Sequence, residues 1–184
     1  MSASPPLLET ARLKLRRLAH ADAPFIVRLL NDASFLRYIG DRGVRTEEDA
    51  RRYLDRGPLA SYRERGFGLY LVAVKESGLP AGICGLLKRD TLPDVDLGFA
   101  FLPDFRSLGY ATESARAVLE HGRTLGMGRI VAVTTPDNAG SIRVLQKLGL
   151  RAEGTLRLSE GEPELQLFAP APRVAARIPR VRPG

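Results

Sequence analysis

Tryptophan is absent from this chain of 184 residues, cysteine occurs once, and histidine and methionine occur twice each. A single thiol, Cys84, cannot close an intrachain disulfide. With only His20 in a turn and His121 in a helical stretch beside it, no zinc-type ligand spacing can be written, and no metal is expected. Cys84 lies inside an apolar run and reads as a packed core thiol rather than a nucleophile. No apolar run approaches the roughly 18 residues needed to cross a bilayer, so no membrane contact is expected. Met1-Ser2-Ala3-Ser4-Pro5-Pro6 lacks the charged and apolar regions of a secretory signal, which makes a cytoplasmic location the expectation.

What is present is ordinary globular composition: 44% hydrophobic and 27% charged residues, enough for one domain with a full core. The formal net charge is +7, but Arg173, Arg177, Arg180 and Arg182 sit in a Pro-containing terminal segment without an acidic residue, leaving +3 for the rest. The expected organisation is a flexible N-terminus over 1–9, one domain over 10–170, and a basic, flexible tail over 171–184. Such a tail is a candidate contact for nucleic acid or ribosome, and a solvated end is the plainer reading.

Along the chain, Arg12-Leu13-Lys14-Leu15-Arg16 alternates as a strand does. Asp22, Pro24 and the stripe Phe25, Ile26, Leu29, Leu30 mark a first helix, and Thr46-Glu47-Glu48-Asp49 opens a second that runs to about Arg65, broken or kinked at Gly57-Pro58. The apolar runs 67–75 and 79–88 form a hairpin about Glu76-Ser77-Gly78, with Gly82 and Gly85 permitting close backbone approach. Arg129 to Thr134 reads as a buried strand. Asn138 caps a short helix ended by Gly149, and the runs 150–158 and 164–168 make a second hairpin about Glu160-Gly161-Glu162.

Between these lies the stretch around which the chain is organised. The strand Val95-Asp96-Leu97-Gly98-Phe99-Ala100-Phe101-Leu102 feeds a turn, Pro103-Asp104-Phe105, and then Arg106-Ser107-Leu108-Gly109-Tyr110-Ala111-Thr112 opens a long helix. The first N–H groups of a helix have no partner within it and carry partial positive charge, so a strand, a small-residue turn and a helix start make an anion site. Gly109 and Ala111 let that backbone approach a ligand, and Arg106 can add a charged fork.

The Arg-x-x-Gly-x-Ala pattern resembles the acyl-CoA diphosphate loop of the GNAT N-acetyltransferase superfamily. Four more local matches extend the resemblance toward its bacterial ribosomal-protein N-terminal acetyltransferase branch: Thr10-x-Arg12-Leu13-x-Leu15-Arg16, Asp96-x-Gly98-Phe99, Asn138-x-x-Ser141-Ile142, and Lys147-Leu148-Gly149-Leu150 before Glu153-Gly154. The resemblance implies an α/β fold with a central, mixed, mostly antiparallel sheet of about seven strands and helices on both faces, its fourth and fifth strands splayed around acetyl-CoA. It further implies main-chain bonds from Phe99, Ala100 and Phe101 to pantetheine, and main-chain bonds from Leu108, Gly109, Tyr110, Ala111 and Thr112 to the diphosphate with Arg106 alongside. Asn138 would cap its helix, bond the pantetheine amide, or do both.

An amine must lose its proton to attack a thioester. Asp96 matches the position of a general base in several family members; a salt bridge or a solvated strand end is the alternative. Leu145 stands where many members have a tyrosine that protonates the departing thiolate, and Ser141 matches the branch's substitute hydroxyl. An α-amine needs about 1 kcal/mol to become neutral at pH 7 and a lysine amine about 4.6 kcal/mol. A site with one carboxylate and no tyrosine therefore suits a protein or peptide N-terminus. A small-molecule amine (polyamine, amino acid or antibiotic) as acceptor, and a non-catalytic acyl-CoA-binding protein, stand as alternatives. The family makes a homodimer plausible.

Overall fold

A computed structural model describes residues 7–171; the arginine-rich tail expected to be flexible lies outside the described residues. Eight strands form one sheet: β1 (Leu8–Glu9), β2 (Leu13–Arg17), β3 (Leu69–Val74), β4 (Pro80–Leu87), β5 (Val95–Phe101), β6 (Ile130–Thr134), β7 (Leu150–Leu156) and β8 (Leu165–Pro170). Their order is β1-β2-β3-β4-β5-β6-β8-β7. Every neighbouring pair is antiparallel except β5 and β6. The helices are α1 (Ala23–Leu30), α2 (Ala33–Tyr38), α3 (Glu47–Arg56), α4 (Pro58–Arg65), α5 (Tyr110–Thr124) and α6 (Ala139–Lys147).

This is the expected mixed sheet with helices on both faces, and the differences are local. The eighth strand is β1, which pairs Leu8 with Leu15 and Glu9 with Lys14 inside the segment expected to be flexible. Two residues are too few to show alternation. Helix α2 was not anticipated either. Six residues carry less than two turns of periodicity, and the helix rests on the Asp32 carboxylate, which accepts from the N–H groups of Ser34 and Phe35. The break at Gly57-Pro58 falls where expected, between α3 and α4.

Strand alternation divides the core. Tyr70, Val72, Leu97 and Phe101 pack with Ala115, Val118 and Leu119 of α5 and Leu145 of α6. On the other face Leu69, Leu71 and Ile83 pack with Ile26, Leu29 and Leu30 of α1 and Ala50 and Leu54 of α3. Each large aliphatic side chain so buried contributes about 1.5–3 kcal/mol. The glycines of β4 are required by proximity: a Cβ on Gly85 would lie 2.1 Å from Gly68 O, and one on Gly82 would lie 2.4 Å from Ala100 O and 2.7 Å from the Phe101 ring. The close backbone approach read from the sequence is thus a property of β4 against both its neighbours.

Candidate active site

The parallel pair β5–β6 is held only by Val95 opposite Ile130 and Asp96 opposite Val131. Beyond that point β6 pairs with β8 alone, through Ala132, Val133 and Thr134, while β5 continues against β4 as far as Phe101. The sheet therefore splits after Asp96. The Leu102 N–H donates to Ala81 O at 2.9 Å. With the register of Ile83 opposite Ala100, this makes the even-numbered residues of β5 the ones bonded to β4, and an antiparallel ladder alternates strictly. The main-chain groups of Phe99 and Phe101 consequently face the split. Those of Ala100, the third residue expected to offer its backbone to a ligand, face Ile83 of β4.

At the open end the chain passes through a one-turn 3-10 helix, Pro103–Phe105, into the loop before α5. Ser107 has φ +60° and Gly109 φ +83°, a left-handed conformation that glycine adopts without steric cost. Helix α5 starts unlike the others. Helices α2, α3 and α6 are capped by the side chains of Asp32, Thr46 and Asn138, and α1 and α4 carry a proline in the first turn, Pro24 and Pro58; α5 has neither. The N-cap of α5 is Gly109, which has no side chain to offer, and the first helical bond runs from Glu113 N–H to Gly109 O at 3.0 Å. The N–H groups of Tyr110, Ala111 and Thr112 are left without helical acceptors at the positive end of a helix of 15 residues. A groove of about 700 Å³ runs from Gly109 and Thr112 along α5, flanked by the cations Arg116 and Lys147.

Arg106 points elsewhere. Its Nε donates to Phe101 O at 2.9 Å, Nη1 to Ser34 Oγ at 2.9 Å, and Nη2 to the Asp32 carboxylate. Burial pushes the Asp32 carboxyl up, but Arg106 and the α2 N–H groups outweigh it and hold it below the usual range. The half-buried guanidinium expected alongside a diphosphate thus locks α2 to the end of β5. Two further pairs tie α1 and α2 to the lips of the split, Arg28 of α1 to Asp104 at 3.1 Å and Arg37 of α2 to Asp137 at 2.9 Å. Helix α2 therefore bridges the open end, from the turn after β5 to the turn after β6.

Asp96 stands at the vertex, 1% exposed. By alternation its side chain lies on the α1–α3 face, opposite to Leu97. Both its oxygens meet Arg89 Nε, at 3.2 and 3.1 Å. Burial pushes its carboxyl above the usual range, and the opposing pull of Arg89 does not cancel it. The two readings left open by the sequence are joined: Asp96 is both a desolvated carboxylate and half of a salt bridge. Across the split, Asn138 Oδ1 accepts from the Ser141 N–H at 3.0 Å and so caps α6. Ser141 is partly exposed one turn into that helix, and Leu145 is buried in the core beneath it.

Sequence reasoning missed Arg89, which lies just past the 79–88 run, and the arginine–aspartate pairs around α2. A charge inside an apolar strand, as at Asp96, signals that a counter-ion must be near; no spacing rule says which of the 24 arginine and lysine residues outside the tail would supply it, and so the pairing is legible only in three dimensions.

Comparison with known proteins agrees with this geometry. Residues 12–151 match the model of the "Acetyltransferase (GNAT) domain". The "Uncharacterized N-acetyltransferase YnaD" of Bacillus subtilis is 29% identical over 148 residues, 80% of this chain and 84% of that protein. The "Spermidine N(1)-acetyltransferase" of Escherichia coli K12 is 25% identical over 146 residues, covering 78% and 75%. Among solved structures, RimL, described as a "Ribosomal L7/L12 alpha-N-protein acetyltransferase in complex with Coenzyme A", superposes with a TM-score of 0.77 over 90% of this chain and 97% of that one; at 19% identity it is a likeness of fold. With the split sheet, the uncapped helix start and the family model running through both, the chain belongs to the GNAT family of acetyltransferases.

Proposed function

We propose that this chain transfers the acetyl group of acetyl-CoA directly to an amine, and that the amine is the N-terminal α-amine of a protein or peptide. The observation that carries the first part is the coincidence of the split with the uncapped start of α5. Donors for an extended pantetheine chain, at Phe99 and the Phe101 N–H, and donors for a diphosphate, at Leu108 to Thr112, open at the same end of the sheet. The residues thus fit the cofactor, which when bound supplies an activated acetyl thioester. The Phe101 and Phe99 main chain would orient it, and an N–H directed at the thioester oxygen would stabilise charge developing there, an interaction typically worth about 10²- to 10³-fold in rate.

Asp96 takes the role of general base, acting on the amine proton directly or through a water. Ser141 supplies a hydroxyl at the sulfur side of the split, in the place where Leu145 provides none. Asn138 holds the α6 turn that presents it.

The acceptor reading rests on charge. The carboxylates about the split, Asp96 at its vertex and Asp32, Asp104 and Asp137 at its open end, are each engaged by an arginine: Arg89, Arg106, Arg28 and Arg37. A polyamine carries several positive charges and needs carboxylates in excess to displace its water; a peptide N-terminus carries one charge and loses it for about 1 kcal/mol at pH 7. This favours the peptide over the polyamine. The test is a competition assay in which acetyl-CoA is supplied with a mixture of peptides of free N-terminus and spermidine, and products are identified by mass. Acetyl groups on peptide α-amines are expected. Acetylspermidine as the main product would overturn the acceptor assignment, and consumption of acetyl-CoA by neither would favour a non-catalytic acyl-CoA-binding protein.

A further inference from the structure

Two sequence matches about a hundred residues apart meet in space at the diphosphate loop. Thr10 Oγ1 donates to Glu113 Oε1 at 2.6 Å, the Arg12 N–H donates to the same oxygen at 2.9 Å, and Arg12 Nε reaches Glu113 Oε2 at 2.7 Å. Arg12 Nη2 also lies 2.7 Å from Oε2, and Nη1 donates to Leu108 O at 3.0 Å. The guanidinium carbon sits 4.8 Å from the centre of the Tyr110 ring. A Cβ on Gly109 would come within 3.3 Å of Arg12 Nη2. One arginine therefore touches the loop before Gly109, the residue after it, and the first acidic residue of α5. Glu113 reflects the same grip: burial pushes its carboxyl up, but the bonds from Thr10 and Arg12 hold it below the usual range.

We infer that Arg12, braced by Glu113 and Thr10, is the positioning residue of the cofactor loop: it fixes the Leu108 carbonyl outward and the Tyr110 to Thr112 N–H groups toward the diphosphate, and brings to the loop the positive charge that Arg106 does not. The chemistry is direct. A carbonyl turned into an anion site repels it, and Leu108 O, the carbonyl just before Gly109, is held by its bond to Arg12. The positive φ of Ser107, two residues before Gly109, is a conformation that costs a non-glycine residue energy, and an external brace on the Leu108 carbonyl between them keeps it populated. Arg12 is half exposed beside the groove that Thr10, Gly109 and Glu113 line, so its charge is felt by an anion there.

This inference rests on the reading that acetyl-CoA docks its diphosphate at Leu108 to Thr112, and the experiment separates the two. Acetyl-CoA binding is measured by calorimetry for the unaltered chain, Arg12→Ala, Glu113→Gln and the double variant. Turnover is measured with acetyl-CoA and with S-acetylpantetheine, which has the thioester without the diphosphate. Each single variant is expected to weaken acetyl-CoA binding about tenfold or more, with the double variant little worse than either. The KM for acetyl-CoA should rise with kcat and the amine KM unchanged, and kcat/KM for S-acetylpantetheine should stay as it was. A merely structural role would depress both thioesters alike, and that result, or unaltered acetyl-CoA binding in a folded variant, overturns the inference. Should Arg12→Ala fail to fold, Arg12→Lys keeps the charge but cannot hold Leu108 O and both Glu113 oxygens together; it should show an intermediate loss for acetyl-CoA alone, and equal loss for both thioesters would again be contrary. If the unaltered chain does not bind acetyl-CoA, the cofactor reading itself falls and this inference with it.

Discussion

Gly109→Ala separates the conformational demand of the cofactor loop from its binding role. Gly109 has φ +83°, where an alanine costs about 1–2 kcal/mol, partly offset by about 0.4–1 kcal/mol from the reduced freedom of the unfolded chain. The net loss expected is about 1 kcal/mol, or about 2–4 °C in the unfolding midpoint for a chain of this size. The added methyl would stand 3.3 Å from Arg12 Nη2, a side-chain tip that can yield. If instead the loop escapes to negative φ, the Tyr110 and Ala111 N–H groups swing off their common direction, and the loss of one charge-assisted bond weakens acetyl-CoA about tenfold or more. Gly126 is the internal control: φ is +80°, nothing lies within 4 Å of its Cβ direction, and it sits just past the far end of α5. Denaturant unfolding with and without acetyl-CoA at about 100 times its Kd, where binding adds about 2.7 kcal/mol, reads both quantities at once. Both alanine variants should lose similar intrinsic stability, and only Gly109→Ala should lose stabilisation by acetyl-CoA. Equal stabilisation of the two variants would refute the assignment of this loop.

Asp96→Asn should lower kcat by about 10²- to 10⁴-fold and remove the acid limb of the kcat/KM profile, whereas Arg89→Gln, by taking away the charge that pulls the Asp96 carboxyl down, should move that limb to higher pH. The stability of the unaltered chain carries the same signature: the folded carboxyl of Asp96 sits above its ordinary value, so the folded state holds that proton more tightly. This contribution falls as pH rises from about 3.9 through the raised folded value, the reverse of a paired surface carboxylate, and urea unfolding of Asp96→Asn should show that slope flattened. Asn138→Ala removes the cap of α6 and should cost about 1 kcal/mol in equilibrium unfolding; a KM for acetyl-CoA that rises beyond this would separate a pantetheine contact from capping alone. Gly85→Ala would force a methyl to 2.1 Å from Gly68 O, and a loss of at least about 2 kcal/mol is expected in the same unfolding assay.

How much of this was legible in the sequence follows from the range of each signal. Alternation in 12–16, the apolar run in 129–134, the glycine pairs and the cap residues report on neighbours a few positions away, and they located β2, β6 and the start of α5 closely. The split was legible only through family resemblance, because nothing in Val95 to Leu102 distinguishes a strand that stays paired from one whose neighbour departs. Ala100 shows the limit in one residue: the motif indicates three backbones, but ladder alternation gives only odd positions to the open edge. Arg106 shows another. An arginine in a loop motif looks available for an anion, and what redirects it is Asp32, 74 positions away and already committed to capping α2. Conversely Thr10 and Arg12 belong to one motif and Glu113 directly follows another about a hundred positions away, and their common purpose emerges only where the chain brings them into contact.

The account turns on acetyl-CoA lying in the split between β5 and β6 with its diphosphate on the start of α5. Amide hydrogen exchange of the full chain, with and without saturating acetyl-CoA, tests this most directly. Slowed exchange is expected at Phe99 and Phe101, whose N–H groups face the split, and at Leu108 to Thr112, with Ala100, already paired to β4, changing least. Protection by acetyl-CoA that leaves both of these stretches unchanged and appears elsewhere on the chain would contradict the account.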